Sequence, residues 1–201
     1  MKFENALKSL AILVVLAIAI LLSTSYINSW TMKNPEITTV VDEVVFPHDD
    51  IIKVSIDIDE EEYTLLNENA EMETYVTADI TYNGYSFSDI AIRAKGNSSL
   101  KSVASTDSDR YSFKVDFNYY IDDQSFFGIT KLNLNNIFGD ASYMREYIAY
   151  EALESLDSVA SRTTYVELSV NDVYFGLYLA VEDVNDDFLY DYYGSNDDEL
   201  Y

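Results

Sequence analysis

Apolar and polar residues alternate with a period of two over most of the sequence after residue 50. The run from Ile52 to Ile58 is the first example, and RYSFKVDF and KLNLNN repeat the pattern further along the chain. This alternation is typical of strands that bury one face. Two pairs of alternating runs are separated by short turns, at Asn83-Gly84 and near Asn171-Asp172. We predict a β-hairpin at each turn, because these residues adopt positive φ readily.

Helical patterns are fewer. The segment EEEYTLLNENAE predicts a short helix, and DASYMREYIAYEALESL predicts one long helix because it contains neither glycine nor proline. Its start is predicted at Asp140 or Ser142, and its apolar residues are spaced for one helical face: Met144, Ile148, Leu153 and Leu156. Strands followed by one helix and then by further strands predict an α+β fold with a mainly antiparallel sheet.

The N-terminal segment has a different pattern. Lys2 and Lys8 precede an uncharged apolar run from Leu10 to Leu22, and no Ala-x-Ala cleavage site follows it. We therefore predict one transmembrane helix that ends near Trp30, as an uncleaved signal anchor rather than a cleaved signal peptide. The positive-inside rule places the rest of the chain on the extracytoplasmic side of the cell membrane.

The domain organisation follows from these patterns. We predict a cytoplasmic stub and signal anchor over residues 1–30, a stalk over residues 31–50 and a folded domain over residues 51–201. The last residues, from Asp183 to Tyr201, are acidic and end abruptly at DELY, which favours a truncated form of a longer protein.

Composition excludes several classes of function. A net charge of -24 argues against nucleic acid as a partner. The chain has no cysteine, and its only histidine, His48, lies in the predicted stalk. Thiol nucleophiles, serine–histidine triads and a histidine-based metal site are therefore not expected. The segment DIDEEEY lacks the central glycine of a calcium-binding loop.

Phosphate binding is the chemistry that some segments suggest. In IRAKGNSSLKS, a Gly-Asn-Ser-Ser turn lies between two lysines, and such a turn offers N–H groups, hydroxyls and positive charge. Lys114 and Lys131 lie in predicted strands, and Glu146, Glu151 and Glu154 lie on the predicted helix. A lysine–glutamate pair of this kind holds nucleotide phosphates in kinases. Taken singly, each segment is equally typical of a polar turn or a solvated surface.

Six ordered segments together carry a resemblance. They are IRAKGNSSLKS, RYSFKVDF, GITKLNLNN, DASYMREYIAYEAL, TYVELSVNDVYFGLYLAVEDV and DFLYDYYGSNDDELY. They resemble the spore-coat protein H (CotH) kinase-like family over residues 51–201. Three positions depart from the family pattern: Ala141 stands for proline, Asp172 for glycine, and Ala94 for threonine or arginine.

The resemblance implies the N-terminal lobe of an atypical protein kinase that uses ATP and Mg²⁺ on serines of secreted or surface proteins. It implies that Gly96, Asn97, Ser98 and Ser99 cover the phosphates. The nucleotide-binding lysine is then Lys114 or Lys131, its helix partner is Glu151 or Glu146, and Glu182 lies in the hinge.

The resemblance also implies what to expect of catalysis. In kinases the catalytic and metal-binding Asp and Asn residues come from the second lobe, which in this family follows the DELY segment. We expect this chain, a fragment or a short homologue, to have no catalytic residue and no metal ligand of its own and to be inactive alone. The alternative is a non-catalytic cell-surface or spore-coat scaffold that uses the same sheet without nucleotide.

Overall fold

The computed structural model describes residues 39–194, which contain seven strands. Both predicted hairpins are confirmed: Asn83 and Gly84 have φ of 49° and 84°, and Asn171 and Asp172 have φ of 49° and 63°. The strands are β1 (Ile52–Asp57), β2 (Val76–Tyr82), β3 (Tyr85–Lys95), β4 (Ser112–Asp116), β5 (Lys131–Asn135), β6 (Thr163–Val170) and β7 (Val173–Glu182).

The seven strands form a closed barrel in the order β1-β2-β3-β4-β5-β7-β6. Every neighbouring pair is antiparallel except β1 and β6, which pair in parallel from Ile52 opposite Val166 to Ile56 opposite Val170. This parallel pair joins the first strand to the sixth and closes the sheet. Apolar side chains from the inner face of every strand fill the barrel interior.

The predicted fold class was wrong in its architecture. An α+β layout with one long helix, like a kinase N-terminal lobe, is replaced by a closed barrel with short helices. The alternation of apolar residues shows which face of a strand is buried. It does not show which strands pair at the edges, and the β1–β6 pair turns a sheet into a barrel.

The helices of the described region are short: α1 (Glu60–Glu68), α2 (Ser98–Ala104), α3 (Arg145–Ser155) and α4 (Asp186–Tyr193). Helix α1 confirms the short helix predicted from EEEYTLLNENAE. The predicted long helix is α3, which has eleven residues and begins later than expected. It begins at Arg145 because Asp140 and Ser142 form a hydrogen-bonded turn before it. No residue of α3 is fully buried.

Part of the predicted stalk packs on the barrel. A π-helical turn spans Val41–Val45, and the side chains of Val41, Val45 and Phe46 lie in the hydrophobic core. The hydroxyl of Tyr82 donates a hydrogen bond to the carbonyl of Val45 at 2.9 Å. These residues therefore contribute to the packed domain.

Between residues 39 and 194, no helix has the length and apolar character needed to cross a membrane. The predicted transmembrane segment, within residues 1–30, lies outside the described residues.

Candidate functional site

Basic residues are concentrated on one outer face of the barrel. Arg93, Lys95, Lys114 and Lys131 alternate with buried residues on β3, β4 and β5, and they lie on neighbouring strands. We call these four residues the cationic face. They are four of the nine lysines and arginines in the described region. In a chain of net charge -24, this grouping is a candidate surface for an anion.

Lys114 lies at the centre of this face. Its Nζ is 2.8 Å from Oδ2 of Asp183, which follows β7. The other carboxylate oxygen of Asp183 accepts a hydrogen bond from Nδ2 of Asn133 at 2.8 Å. We call Lys114, Asn133 and Asp183 the Lys114 cluster. It combines a cation, an amide oxygen and a carboxylate whose position is fixed by two contacts.

Two further ion pairs flank the Lys114 cluster. Lys131 Nζ is 3.3 Å from Oδ2 of Asp116, and Arg93 pairs with Glu73. Asp116 is buried, and its Oδ1 has no hydrogen-bond partner among the described residues. Each of these cations is thus paired with a carboxylate. A bound anion would compete with the carboxylate for the basic side chain, and a bound cation would compete with the basic side chain for the carboxylate.

Lys95 is held differently, by a neutral amide. Its Nζ donates to Oδ1 of Asn135 at 3.1 Å, and Nδ2 of Asn135 donates to Oε1 of Glu146 on α3 at 2.6 Å. We call these three residues the Lys95 triad. Ser112 lies opposite Lys95 on β4, and its side chain is small enough for Lys95 to reach across the strand.

Burial lowers the pKa of Lys95 below that of a free lysine. Lys114 and Arg93 also lower this pKa, whereas the carboxylates of Glu146 and Asp183 raise it. A folded-state pKa below the unfolded value means that the unfolded chain binds more protons in the window between the two values. The contribution of Lys95 to stability therefore rises as the pH rises through that window.

A pocket of about 460 Å³ lies beside the Lys95 triad. Gly96 and Ser99 line it from the turn after β3, Ile137 and Phe138 line it from the segment after β5, and Arg145 lines it from α3. Its wall combines an ammonium group, a guanidinium group and a hydroxyl with the carboxylates of Asp140 and Glu146 and with two apolar side chains. Such a wall suits a ligand with both polar and apolar parts.

Asp140 orders the pocket wall that leads into α3. Its Oδ1 accepts hydrogen bonds from the hydroxyl and the N–H of Ser142, and its Oδ2 accepts one from the N–H of Arg145 at 2.8 Å. The Ser142 hydroxyl and then the Arg145 N–H lower the pKa of Asp140. This stabilisation is present above the unfolded pKa and is lost as the pH falls through the folded pKa.

The variant Asp140→Asn is expected to unfold at a lower urea concentration than the wild type at neutral pH, because a neutral amide accepts these hydrogen bonds more weakly. The difference should shrink as the pH falls below about 4, where carboxylates become protonated. Urea titrations at a series of pH values measure it. The matched control is Asp157→Asn on the exposed surface; a difference between wild type and Asp140→Asn that does not change with pH contradicts the role of the charge.

The residues predicted from sequence lie in several different places. Gly96 and Ser99 line the pocket, while Asn97 and Ser98 are exposed at the start of α2. Lys114 and Lys131 lie on the cationic face. Glu151 and Glu182 lie elsewhere: Glu151 is 3.6 Å from His48, and Glu182 pairs with Arg162 at 2.8 Å. Of the two helix glutamates considered as the lysine's partner, Glu146 is the one that the structure brings to this site.

From the sequence, Lys95 was noted only as one of two lysines beside the Gly-Asn-Ser-Ser turn, and Asn133 and Asn135 were not selected as site residues. A signal for the two asparagines is present, because KLNLNN alternates and so places Lys131, Asn133 and Asn135 on one face. Lys95 directly precedes the Gly-Asn-Ser-Ser turn, but its link to Glu146 depends on a contact across three strands.

The sequence model described as CotH kinase protein matches residues 92–201, which is more than half of the chain and includes the cationic face and the pocket. The chain belongs to the CotH kinase protein family, as the resemblance suggested. No curated protein matches the chain.

Proposed function

We propose that this domain binds the phosphate groups of a magnesium nucleotide on the cationic face, as part of a protein kinase that acts outside the cytoplasm. One observation carries the proposal: basic residues of a strongly acidic chain gather on three neighbouring strands, next to a glycine- and serine-containing turn. Membership of the CotH kinase protein family supports a nucleotide as the anion.

Lys114 is the residue that we assign to phosphate. It lies between Arg93 and Lys131 on the face, so that its ammonium group has cationic neighbours on both flanking strands. A phosphate carries several oxygens and can contact more than one of these cations. The N–H groups and hydroxyls of the Gly96–Ser99 turn lie at the end of the same face and can bind further phosphate oxygens.

The donor set also fits magnesium that arrives with a nucleotide. Mg²⁺ is commonly held by one or two carboxylates together with substrate phosphates and water. Asp183, with Asn133 beside it, would hold the ion, and the buried Asp116 adds a second carboxylate nearby. Among the described residues, no group of three or more acidic or histidine side chains could hold a metal unaided. Magnesium would neutralise phosphate charge beside Lys114.

The variant Lys114→Met is expected to weaken the binding of Mg-ATP by about ten- to a hundredfold, because a hydrogen bond to a charged group contributes about 1.5–3 kcal/mol. Isothermal titration calorimetry of the full chain measures the effect. Lys53→Met, an exposed lysine on β1, is the matched control and should leave the affinity unchanged. Equal affinities of wild type and Lys114→Met, or no binding by either, contradict the proposal.

Transfer of phosphate to a protein serine is the activity that we propose for the complete enzyme. Binding and transfer can be measured separately. If labelled γ-phosphate stays on ATP in the presence of serine-containing acceptor proteins, the protein binds nucleotide but has no kinase activity. The acidic surface favours basic acceptor proteins.

A second candidate is a non-catalytic binding protein of the cell surface or spore coat. Helix α3 favours it, since the helix has apolar residues on its outer side as well as toward the barrel. Ile148 is 52% exposed and Leu156, just after the helix, is 76% exposed. Exposed apolar side chains that lie close together often mark a contact surface for another protein. Capture of a protein partner by a chain that does not bind Mg-ATP would favour this candidate.

A further inference from the structure

The Lys95 triad has a second chemical interpretation that is independent of phosphate. A lysine amine, an asparagine side-chain amide and a carboxyl group lie in sequence, with hydrogen bonds of 3.1 Å and 2.6 Å. We propose that Lys95 and Asn135 form an intramolecular isopeptide bond, with Glu146 carrying the proton, and that the domain is thereby covalently crosslinked from β3 to β5.

The reaction balances without any further reactant. The neutral amine of Lys95 attacks Cγ of Asn135, a C–N bond forms, and the bond from Cγ to Nδ2 breaks. Nδ2 leaves as ammonia, and the product is a secondary amide between the two side chains. The proton that Nζ loses is the proton that the leaving Nδ2 gains. No oxidant, reductant, metal or cofactor takes part.

Glu146 is placed to carry that proton. Its Oε1 already accepts a hydrogen bond from the nitrogen that must leave, and its charge also acts on the amine of Lys95, so that it can take a proton from Nζ and give one to Nδ2. Proton transfer by a carboxyl group within hydrogen-bond distance is an ordinary form of acid–base catalysis.

Two features favour the amine as a nucleophile. Burial, together with the cations Lys114 and Arg93, lowers the pKa of Lys95 against the opposing effect of Glu146 and Asp183, so that the neutral form becomes more accessible. In addition, the strand register fixes both reactants. Lys95 lies opposite Ser112, and the β4–β5 pairing of Phe113 with Leu134 places Ser112 in line with Asn135. Holding two reactants in place greatly raises the rate of their reaction.

The crosslink would connect two strands that are not neighbours. It crosses β4 at Ser112 and closes the chain between residues 95 and 135 into a covalent loop. The chain has no cysteine, so that disulfides cannot perform this role. Crosslinked Lys95 carries no charge and no longer contributes to the cationic face. Its other three members, including Lys114, to which we assign phosphate, keep their charge.

Mass spectrometry of the purified full chain tests the proposal. The intact protein should be lighter than its sequence by the mass of one ammonia molecule. Because trypsin does not cleave after an acylated lysine, the digest should contain residues 94–101 joined to residues 132–145, and residues 96–101 should be absent as a free peptide. The linked pair also separates the crosslink from cyclisation of Asn135 alone, which loses ammonia but joins no second peptide.

Three variants assign the roles. Lys95→Arg and Glu146→Gln should keep the full mass and release residues 96–101. Asn135→Asp should lose water instead of ammonia and give the same linked peptides and the same final mass as the wild type. Lys53→Arg, a matched variant of an exposed lysine on β1, should crosslink as the wild type does.

The results that overturn the proposal are equally clear. A wild-type chain of full sequence mass, with residues 96–101 released quantitatively, shows that no bond forms. Equal crosslinking in Glu146→Gln and wild type shows that Glu146 does not carry the proton. Neither result changes the nucleotide titration of the Lys114 cluster, so that failure of the two proposals can be distinguished.

Discussion

Replacing Arg162 by methionine is expected to lower the free energy of unfolding by about 3–5 kcal/mol, because it breaks the ion pair of a buried carboxylate. Arg162 Nη1 is 2.8 Å from Oε1 of Glu182, and the side chain of Glu182 is only 3% exposed. Arg162 also pairs with Asp42 at 2.8 Å and lies over the ring of Tyr192. Urea unfolding at neutral pH, followed by circular dichroism, measures the loss.

The control is Arg145→Met, since Arg145 is 76% exposed and should show a much smaller change. The double variant Arg162→Met with Glu182→Gln should be more stable than the sum of the single effects predicts, because it leaves no buried charge behind. Additive effects in this cycle would contradict a direct coupling between the two side chains.

The variant Phe126→Ala is expected to lower the free energy of unfolding by about 3–5 kcal/mol, the cost of a large cavity in a packed core. Phe126 is buried in the loop between β4 and β5, where its ring contacts those of Tyr82, Phe87 and Phe117. The loop therefore contributes to the barrel core. Urea titration measures this effect as well.

Its neighbour provides a matched control. Phe127 is 38% exposed, and Phe127→Ala should cost less than Phe126→Ala by a margin well outside experimental error. If the two variants lose equal stability, the assignment of Phe126 to the core and of Phe127 to the surface is wrong.

The sequence predicts local structure in this domain well. Period-two alternation and the positive-φ residues at Asn83-Gly84 and Asn171-Asp172 determine the hairpins, because both signals act between residues that are close in the chain. The parallel pair of β1 and β6 has no such signal. Its partners, near residues 54 and 168, are both buried strands, and many pairings would satisfy their apolar pattern equally well.

The candidate site shows the same difference between local sequence signals and contacts that are distant in the chain. Alternation places Lys114 outward on β4, so that its exposure to a ligand can be predicted from the sequence. Its partner Asp183 depends on β7 lying beside β5, which a sequence pattern does not specify. Glu151 was considered together with Glu146 because a glutamate on the predicted helix can project toward a lysine on a strand. The orientation of α3 on the barrel brings only Glu146 to Asn135, and this orientation depends on Tyr147 and Tyr150 packing against Leu179 and Val181.

Closure of the barrel by β1 and β6 has a consequence for how the chain folds. The two strands are separated by more than a hundred residues, and their pairing requires a long segment to be ordered first. Contacts of this range slow folding, whereas the two hairpins can form early and locally. During synthesis, β1 therefore has one unpaired edge until β6 has been made. Until β6 arrives, this edge is the part of the domain most exposed to aggregation, and it is where a chaperone would be expected to bind.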